Sequence, residues 1–200
     1  MEIDHIFLFT RNEAQARAMM REAGLVVNYS RVHKGQGTSN ICACLEDMFL
    51  ELIWLDGSTI SAESERITLG LRGRGDGSPI GISWRGDGHE GASEPYAAPF
   101  LPAGMSIPVS PESLDPDLPF VFKTPGGTPP SMRNDDLVGH RQLPRYAALA
   151  NCTISAPNPD QCARLLAPFP DVNVVAGHHG LRFTLTDPQG NECREVAWQV

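Results

Sequence analysis

Residues 3–9 read Ile-Asp-His-Ile-Phe-Leu-Phe, and residues 48–55 read Met-Phe-Leu-Glu-Leu-Ile-Trp-Leu. Both stretches predict strands, because they are short, apolar and rich in branched and aromatic side chains. Between them the sequence predicts a helix over residues 13–23, followed by strands over residues 25–32 and 40–45. The first 55 residues therefore predict a unit with the order strand, helix, strand, strand, strand (βαβββ).

The C-terminal part of the chain repeats this order. It predicts a strand over residues 148–156, a helix ending at Leu166, and strands over residues 172–176, 181–185 and 193–200. Residues 79–124 are less regular and rich in Pro and Gly, but they begin and end on strand-like stretches. We interpret them as a third unit whose helix is shortened or lost. An internal repeat of this size is more informative than any single short motif.

The composition limits the classes of partner. The chain has 200 residues, of which 41% are hydrophobic and 20% are charged, which is typical of a globular protein. The net charge of −8 argues against nucleic acid as a partner, because phosphate binding needs clustered Lys and Arg. No apolar run approaches the length of a membrane span, and the N-terminus shows no secretory signal. We expect a cytoplasmic protein whose five cysteines stay reduced.

Five short motifs carry a resemblance to a known family. They are Asp4-His5-Ile6, Phe49-Leu50-Glu51-Leu52 and residues 33–40, 118–122 and 187–191. Together they resemble the vicinal oxygen chelate superfamily, in its glyoxalase-like branch (glyoxalase/bleomycin resistance/dioxygenase). That resemblance implies paired βαβββ modules whose sheets curl into a cup around a small molecule. Many members of the superfamily bind a divalent metal in the cup, and some bind none.

The predicted fold class is therefore α/β (α+β), with repeated βαβββ modules forming curled mixed sheets around a cup. We assign residues 1–200 to a single glyoxalase-like domain. Its parts are a first module over residues 1–56, an irregular middle module over 79–124 and a C-terminal module over 147–200.

The resemblance places metal ligands on the first and last strands of each module, where His5 and Glu51 match. Alternation along a strand puts His5 on the same face as Phe7, and Glu51 on the same face as Ile53. A carboxylate in so apolar a strand must find a cation, a donor or a proton. The pair could therefore line the cup, as ligands or polar anchors, or could simply contact each other.

The second half of a metal site is incomplete. The C-terminal positions that correspond to His5 hold Asn151 or Cys152, and the last strand offers Arg194, with Glu195 one residue further as a third metal ligand. The middle strands offer Ser83, Trp84, Phe122 and Lys123, none of which is a usual ligand. We therefore expect no tightly bound metal, although zinc, iron, nickel or manganese would suit His5, Glu51 and Glu195. Arg194 would repel a cation and attract an anionic ligand.

Two functions stay open at this point. The first is a protein that binds a small, anionic molecule in the cup, with ligand-binding residues His5, Thr38, Asn40, His140 and Arg194. The alternative is a metal-dependent lyase, isomerase or dioxygenase acting on vicinal oxygens, with Glu51 as the catalytic residue. A homodimer is expected in both cases, because an odd third module would expose an apolar concave face.

Overall fold

The computed structural model describes residues 1–87, 91–134 and 141–199. The first unit forms in the predicted order, although its second strand begins four residues later than predicted. Its elements are β1 (Glu2–Phe9), α1 (Glu13–Ala23), β2 (Tyr29–His33), β3 (Thr38–Cys44) and β4 (Phe49–Leu55). Asn12 caps α1 by accepting a hydrogen bond from the Gln15 amide at 2.9 Å. Gly24 ends the helix in the left-handed conformation, with φ of 72°.

The middle part of the chain adds two short helices and four strands. They are α2 (Ala62–Arg66), α3 (Leu69–Arg74), β5 (Ile80–Arg85), β6 (Glu94–Tyr96), β7 (Ile107–Val109) and β8 (Phe120–Lys123). Strands β1 to β8 form one sheet in the order β2-β3-β4-β1-β5-β8-β7-β6. Strand β1 is parallel to β4, β5 is parallel to β8, and β1 and β5 meet antiparallel at the centre. The middle strands therefore repeat the pairing of the first unit.

The C-terminal unit forms a separate four-stranded sheet. Its elements are β9 (Ala148–Ala156), α4 (Pro159–Leu166), β10 (Val172–Ala176), β11 (Gly180–Thr186) and β12 (Glu192–Gln199). The order along the chain is again βαβββ, but the strand order is β10-β9-β11-β12, so the first strand pairs with the second and third. The predicted fold class of repeated βαβββ modules in curled mixed sheets is confirmed. None of the helices that the structure describes is both long and apolar enough to span a membrane.

The two faces of the eight-stranded sheet have different neighbours. Ile6 and Leu8 belong to the main core, which also contains Met20 of α1. Phe7 and Phe9 point the other way, into a second apolar cluster. Successive side chains of a strand alternate between faces, so β1 contributes to both cores.

The C-terminal sheet packs into the main core. Ile154, Phe183 and Trp198 are buried in the same cluster as Ile6 and Leu8. This unit therefore buries apolar side chains within the chain, and the homodimer, which was expected from an exposed apolar face, stays a prediction.

Arg72 of α3 holds the connection that leads into β8. Only 1% of the residue is exposed, and its guanidinium group lies 5.4 Å from the Phe120 ring centroid. It donates hydrogen bonds to the Thr68 hydroxyl and to four backbone carbonyls, those of Ser78, Ser113, Asp115 and Leu118. Burial lowers the pKa of Arg72 to about 10, and Asp115 opposes this shift. The side chain thereby fixes the start of β8, whose phenylalanines face the second cluster.

We expect Arg72→Met to lower the free energy of unfolding by about 3 kcal/mol, because several buried carbonyls lose their donor. Urea unfolding followed by circular dichroism measures this change. The control is Arg74→Gln on the same helix, which removes an exposed ion pair with Glu65 and should change the free energy of unfolding far less. Equal effects of the two substitutions would contradict the role given to Arg72.

Candidate functional site

A cavity of 790 Å³ opens on the face of the large sheet that carries Phe7. Its floor consists of side chains from five strands, namely His5, Phe7, Tyr29, Arg31, His33, Asn40, Phe49, Glu51, Ile53, Phe120 and Phe122. Its rim consists of residues from two connecting segments, 100–105 and 124–134. Met105 and Met132 of this rim are exposed, so the side of the cavity that faces solvent carries apolar side chains.

His5 is held on three sides. Its Nδ1 lies 2.8 Å from Asp4 Oδ1, and the second oxygen of Asp4 lies 3.5 Å from Arg85 Nη1. The ring stacks on Phe49 at a centroid distance of 4.3 Å and meets the edge of Phe122 at 5.5 Å. A carboxylate at Nδ1 favours the tautomer that carries its proton there. The other ring nitrogen, Nε2, lies on the side of Glu51.

Glu51 lies beside His5 on the neighbouring strand. Its Oε2 is 3.5 Å from His5 Nε2, and its Oε1 accepts a hydrogen bond from Asn40 Nδ2 at 2.5 Å. The two residues are 7% and 6% exposed, and both line the cavity. The structure thus brings together His5, Glu51 and Asn40, three residues that the sequence singled out. The carboxylate has the donor that its burial requires.

A chain of polar side chains continues from Asn40 toward the rim. Asn40 Nδ2 lies 3.5 Å from His33 Nε2, and His33 Nδ1 lies 2.9 Å from the Thr38 hydroxyl. Gln36 donates to the same hydroxyl and accepts from Tyr96, at 2.7 and 2.9 Å. Burial lowers the pKa of His33, and Glu51 partly opposes that shift. Asn40 Oδ1 is buried without a hydrogen-bond partner among the described residues.

Sequence reasoning assigned no site role to several of these residues. Tyr29, Arg31 and His33 alternate along β2, and Arg31 is in register with Asn40, so strand periodicity could have identified them. Gln36 and Tyr96 come from a turn and from the irregular middle region. Nothing in their sequence context indicates that they meet.

Three of the predicted site residues lie elsewhere. Thr38 is fully buried beneath Gln36 and does not line the cavity. Arg194 donates a hydrogen bond to the backbone carbonyl of Glu22 on α1, and Glu195 is exposed, 3.5 Å from Arg182. Both belong to the C-terminal sheet, which packs on the opposite face of the large sheet. His140 lies outside the described residues.

Glu195 therefore cannot complete a metal site with His5 and Glu51. The correspondence of β9 and β12 with β1 and β4 is wrong, because these strands pair in a different order. The strand that does flank β1 is β5, where Ser83 is opposite His5 and Phe122 of β8 lies beside it.

The described residues around His5 and Glu51 do not fit a tightly held divalent metal. Three or four protein ligands are usual at zinc sites. Within residues 1–87, 91–134 and 141–199, no three His, Cys, Asp or Glu side chains are grouped to hold an ion. His5 and Glu51 supply two donors, and Glu51 is already bound by Asn40.

Residues 3–87 match the model of the glyoxalase-like domain family. The resemblance to the vicinal oxygen chelate superfamily is thereby confirmed for this part of the chain. The matched glyoxalase-like segment runs from β1 through β5 and contains both His5 and Glu51. No protein among curated sequences is detectably similar to the chain.

Three solved structures show distant similarity in their fold. A hypothetical protein from Staphylococcus aureus is 12% identical with a TM-score of 0.46, covering 98% of this chain and 84% of its own. A variant of methylmalonyl-CoA epimerase from Streptomyces coelicolor, in complex with 2-nitronate-propionyl-CoA, is 16% identical with a TM-score of 0.42. The match covers 64% of this chain and 96% of the epimerase chain. A 4-hydroxymandelate synthase mutant from the same organism is 9% identical with a TM-score of 0.42. The match covers 98% of this chain and 61% of the synthase chain. Such values say nothing of this chain's ligand.

The donor set predicts a substoichiometric metal content. Elemental analysis of protein purified without chelator should find no zinc, iron, nickel or manganese in proportion to the chain, because two donors hold an ion too weakly to survive purification. The content should be the same in His5→Gln. A stoichiometric metal that is lost in His5→Gln would contradict this expectation.

The lowered pKa of His33 predicts a pH dependence of stability. The usual value is 6.5, so at falling pH the unfolded chain takes up a proton at His33 before the folded chain does. The contribution of neutral His33 to the free energy of unfolding is therefore present above pH 6.5 and is lost as the pH falls below that value. We expect the free energy of unfolding, from urea titrations between about pH 7 and pH 5, to fall less steeply in His33→Gln.

The control for this experiment is His178→Gln, in an exposed turn of the C-terminal sheet. It should keep the wild-type slope. A His33→Gln slope that equals or exceeds that of the wild type would show that His33 is not the residue responsible.

Proposed function

We propose that the chain binds a small organic molecule in the 790 Å³ cavity, and that His5 and Glu51 anchor its polar end. The observation that carries this proposal is the buried His5–Glu51 pair at the floor of a cavity with phenylalanine walls. Pockets for small molecules have volumes of about 300–1,000 Å³, mostly apolar linings and a few well-placed polar groups. The cavity has all three properties.

Energetics also favour a binding role for the polar cluster. Burying Asp4, His5 and Glu51 requires the removal of water from charged groups, and buried ion pairs seldom stabilise a fold more than apolar residues would. Asn40 Oδ1 adds an acceptor that no donor of the described residues satisfies, which has its own free-energy cost. A ligand that places a hydroxyl or amide group at this floor would supply the missing hydrogen bonds.

A second candidate function is metal-free proton transfer. Asp4 orients His5, and Glu51 is anchored by Asn40, so both groups present a fixed atom at one point of the cavity. Glu51 would then be the catalytic base that takes a proton from a carbon next to a carbonyl group. The metal-dependent lyase, isomerase or dioxygenase has less support, because the described residues supply its metal with only two ligands, His5 and Glu51.

The homodimer and the cytoplasmic location stay predictions. A reducing compartment suits Cys193, which is an exposed free thiol. Light scattering at micromolar concentration measures the oligomeric state directly.

The test of the proposed function uses the neutral fluorescent probe N-phenyl-1-naphthylamine. It should bind saturably, and in amide NMR spectra it should shift residues of β1, β4 and β8 but not those of β10 and β12. Glu51→Gln, which keeps the shape of the side chain, should weaken binding by about tenfold through the lost charged acceptor.

Ile53→Trp fills the cavity floor and should weaken binding of the same probe by at least about tenfold. The matched control is Val175→Trp, on an exposed position of β10, which should leave the affinity unchanged. Absence of saturable binding, or shifts centred on the C-terminal sheet, would overturn the proposal.

A further inference from the structure

The charged residues of the cavity differ in whether they have a hydrogen-bond or ion-pair partner. Its carboxylates are Asp4 and Glu51, and both have partners within the protein, namely Arg85 and His5 for Asp4 and His5 and Asn40 for Glu51. Two arginines, Arg31 and Arg133, also line the cavity. Among the described residues, Arg31 has no carboxylate within ion-pair distance.

Arg31 is held in place by an aromatic ring instead. Its guanidinium carbon lies 5.4 Å from the centroid of Phe100, a residue of the rim. A guanidinium group over an aromatic face keeps its hydrogen-bond donors free at the edge of its plane. The same ring packs against His33 at 5.1 Å, so this arrangement connects the rim to the floor.

The position of Arg31 relative to the polar floor follows from strand register. Arg31 of β2 is opposite Asn40 of β3, and Asn40 donates to Glu51 of β4. Asn40 is opposite Ile53, two residues along β4 from Glu51. With adjacent strands about 4.8 Å apart and a rise of about 3.4 Å per residue, the backbones at Arg31 and Glu51 are separated by about 12 Å. That span suits a molecule with a polar group at each end and an apolar body between them.

We propose that Arg31 binds an anionic group of the ligand, so that the cavity selects small amphipathic anions such as carboxylates or sulfonates. The inference rests on the proposed function and names the class of molecule that the same cavity takes. The chain has a net charge of −8, so an arginine that has no carboxylate partner within the described part of the chain is a local exception that attracts an anion. The sequence pattern had indicated this role for Arg194, but Arg194 lies on the C-terminal sheet.

Two fluorescent probes with one skeleton test this proposal. They are 8-anilinonaphthalene-1-sulfonate and the neutral N-phenyl-1-naphthylamine, which lacks the sulfonate. We expect Arg31→Met to weaken binding of the sulfonate by about tenfold or more and to change binding of the neutral probe by less than about twofold. Arg31→Lys, which keeps the charge, should recover part of the sulfonate affinity.

The matched control is Arg17→Met, at an exposed arginine of α1 that pairs with Glu13 and does not line the cavity. It should change neither affinity. In the wild type, added sodium chloride should weaken sulfonate binding and leave the neutral probe unaffected, because salt screens an exposed charge. This salt titration needs no variant, so it tests the proposal even if Arg31→Met folds poorly.

The outcomes separate the two proposals. If both probes bind but sulfonate affinity is insensitive to Arg31→Met and to salt, the role of Arg31 is overturned and the binding cavity stands. If Arg31→Met weakens both probes equally, Arg31 shapes the cavity and does not select anions. If the neutral probe does not bind to the wild type, the proposed function itself is overturned.

Discussion

Strand β1 pairs with β4 on one side and with β5 on the other, and this central position decides the role of each of its side chains. Phe7 needs space at the β5 side, and Gly81 provides it. A Cβ atom on Gly81 would lie 2.0 Å from the Phe7 ring. The antiparallel contact of β1 and β5 joins two four-stranded halves into one sheet, and the cavity lies on the face where these aromatic side chains meet.

The same strand forces a charged cluster into an apolar setting. His5 stands between Phe49 and Phe122, where an isolated charge would be strongly disfavoured. Asp4 and Glu51 offer it two carboxylates, and Arg85 and Asn40 each hold one of those carboxylates. Each polar group therefore depends on the next. This interdependence fixes the His5 ring and directs its second nitrogen to the cavity.

The two βαβββ units show that an order of elements does not fix a sheet. In the first unit the opening strand pairs with the last strand, and in the C-terminal unit the opening strand β9 pairs with β10 and β11. Both arrangements bury one apolar face and pair the hydrogen-bonding groups of the backbone, so both are physically acceptable. The C-terminal sheet buries Phe183 and Trp198 against the main core, and its charged residues Arg194 and Glu195 face away from the cavity.

The sequence by itself determined the strands, the helices, the glyoxalase-like first unit and the polar pair of that unit. Local periodicity carries this information, because alternation along each strand puts His5 on the face of Phe7, and Glu51 on the face of Ile53, whatever surrounds them. Only the tertiary structure decided which unit completes the cavity. Strand pairing between distant segments placed Ser83 and Phe122 beside His5, and it moved Arg194 and Glu195 to another sheet. It also brought Gln36 and Tyr96 to the cavity, since contacts between segments far apart in the chain leave no periodic signal in either one.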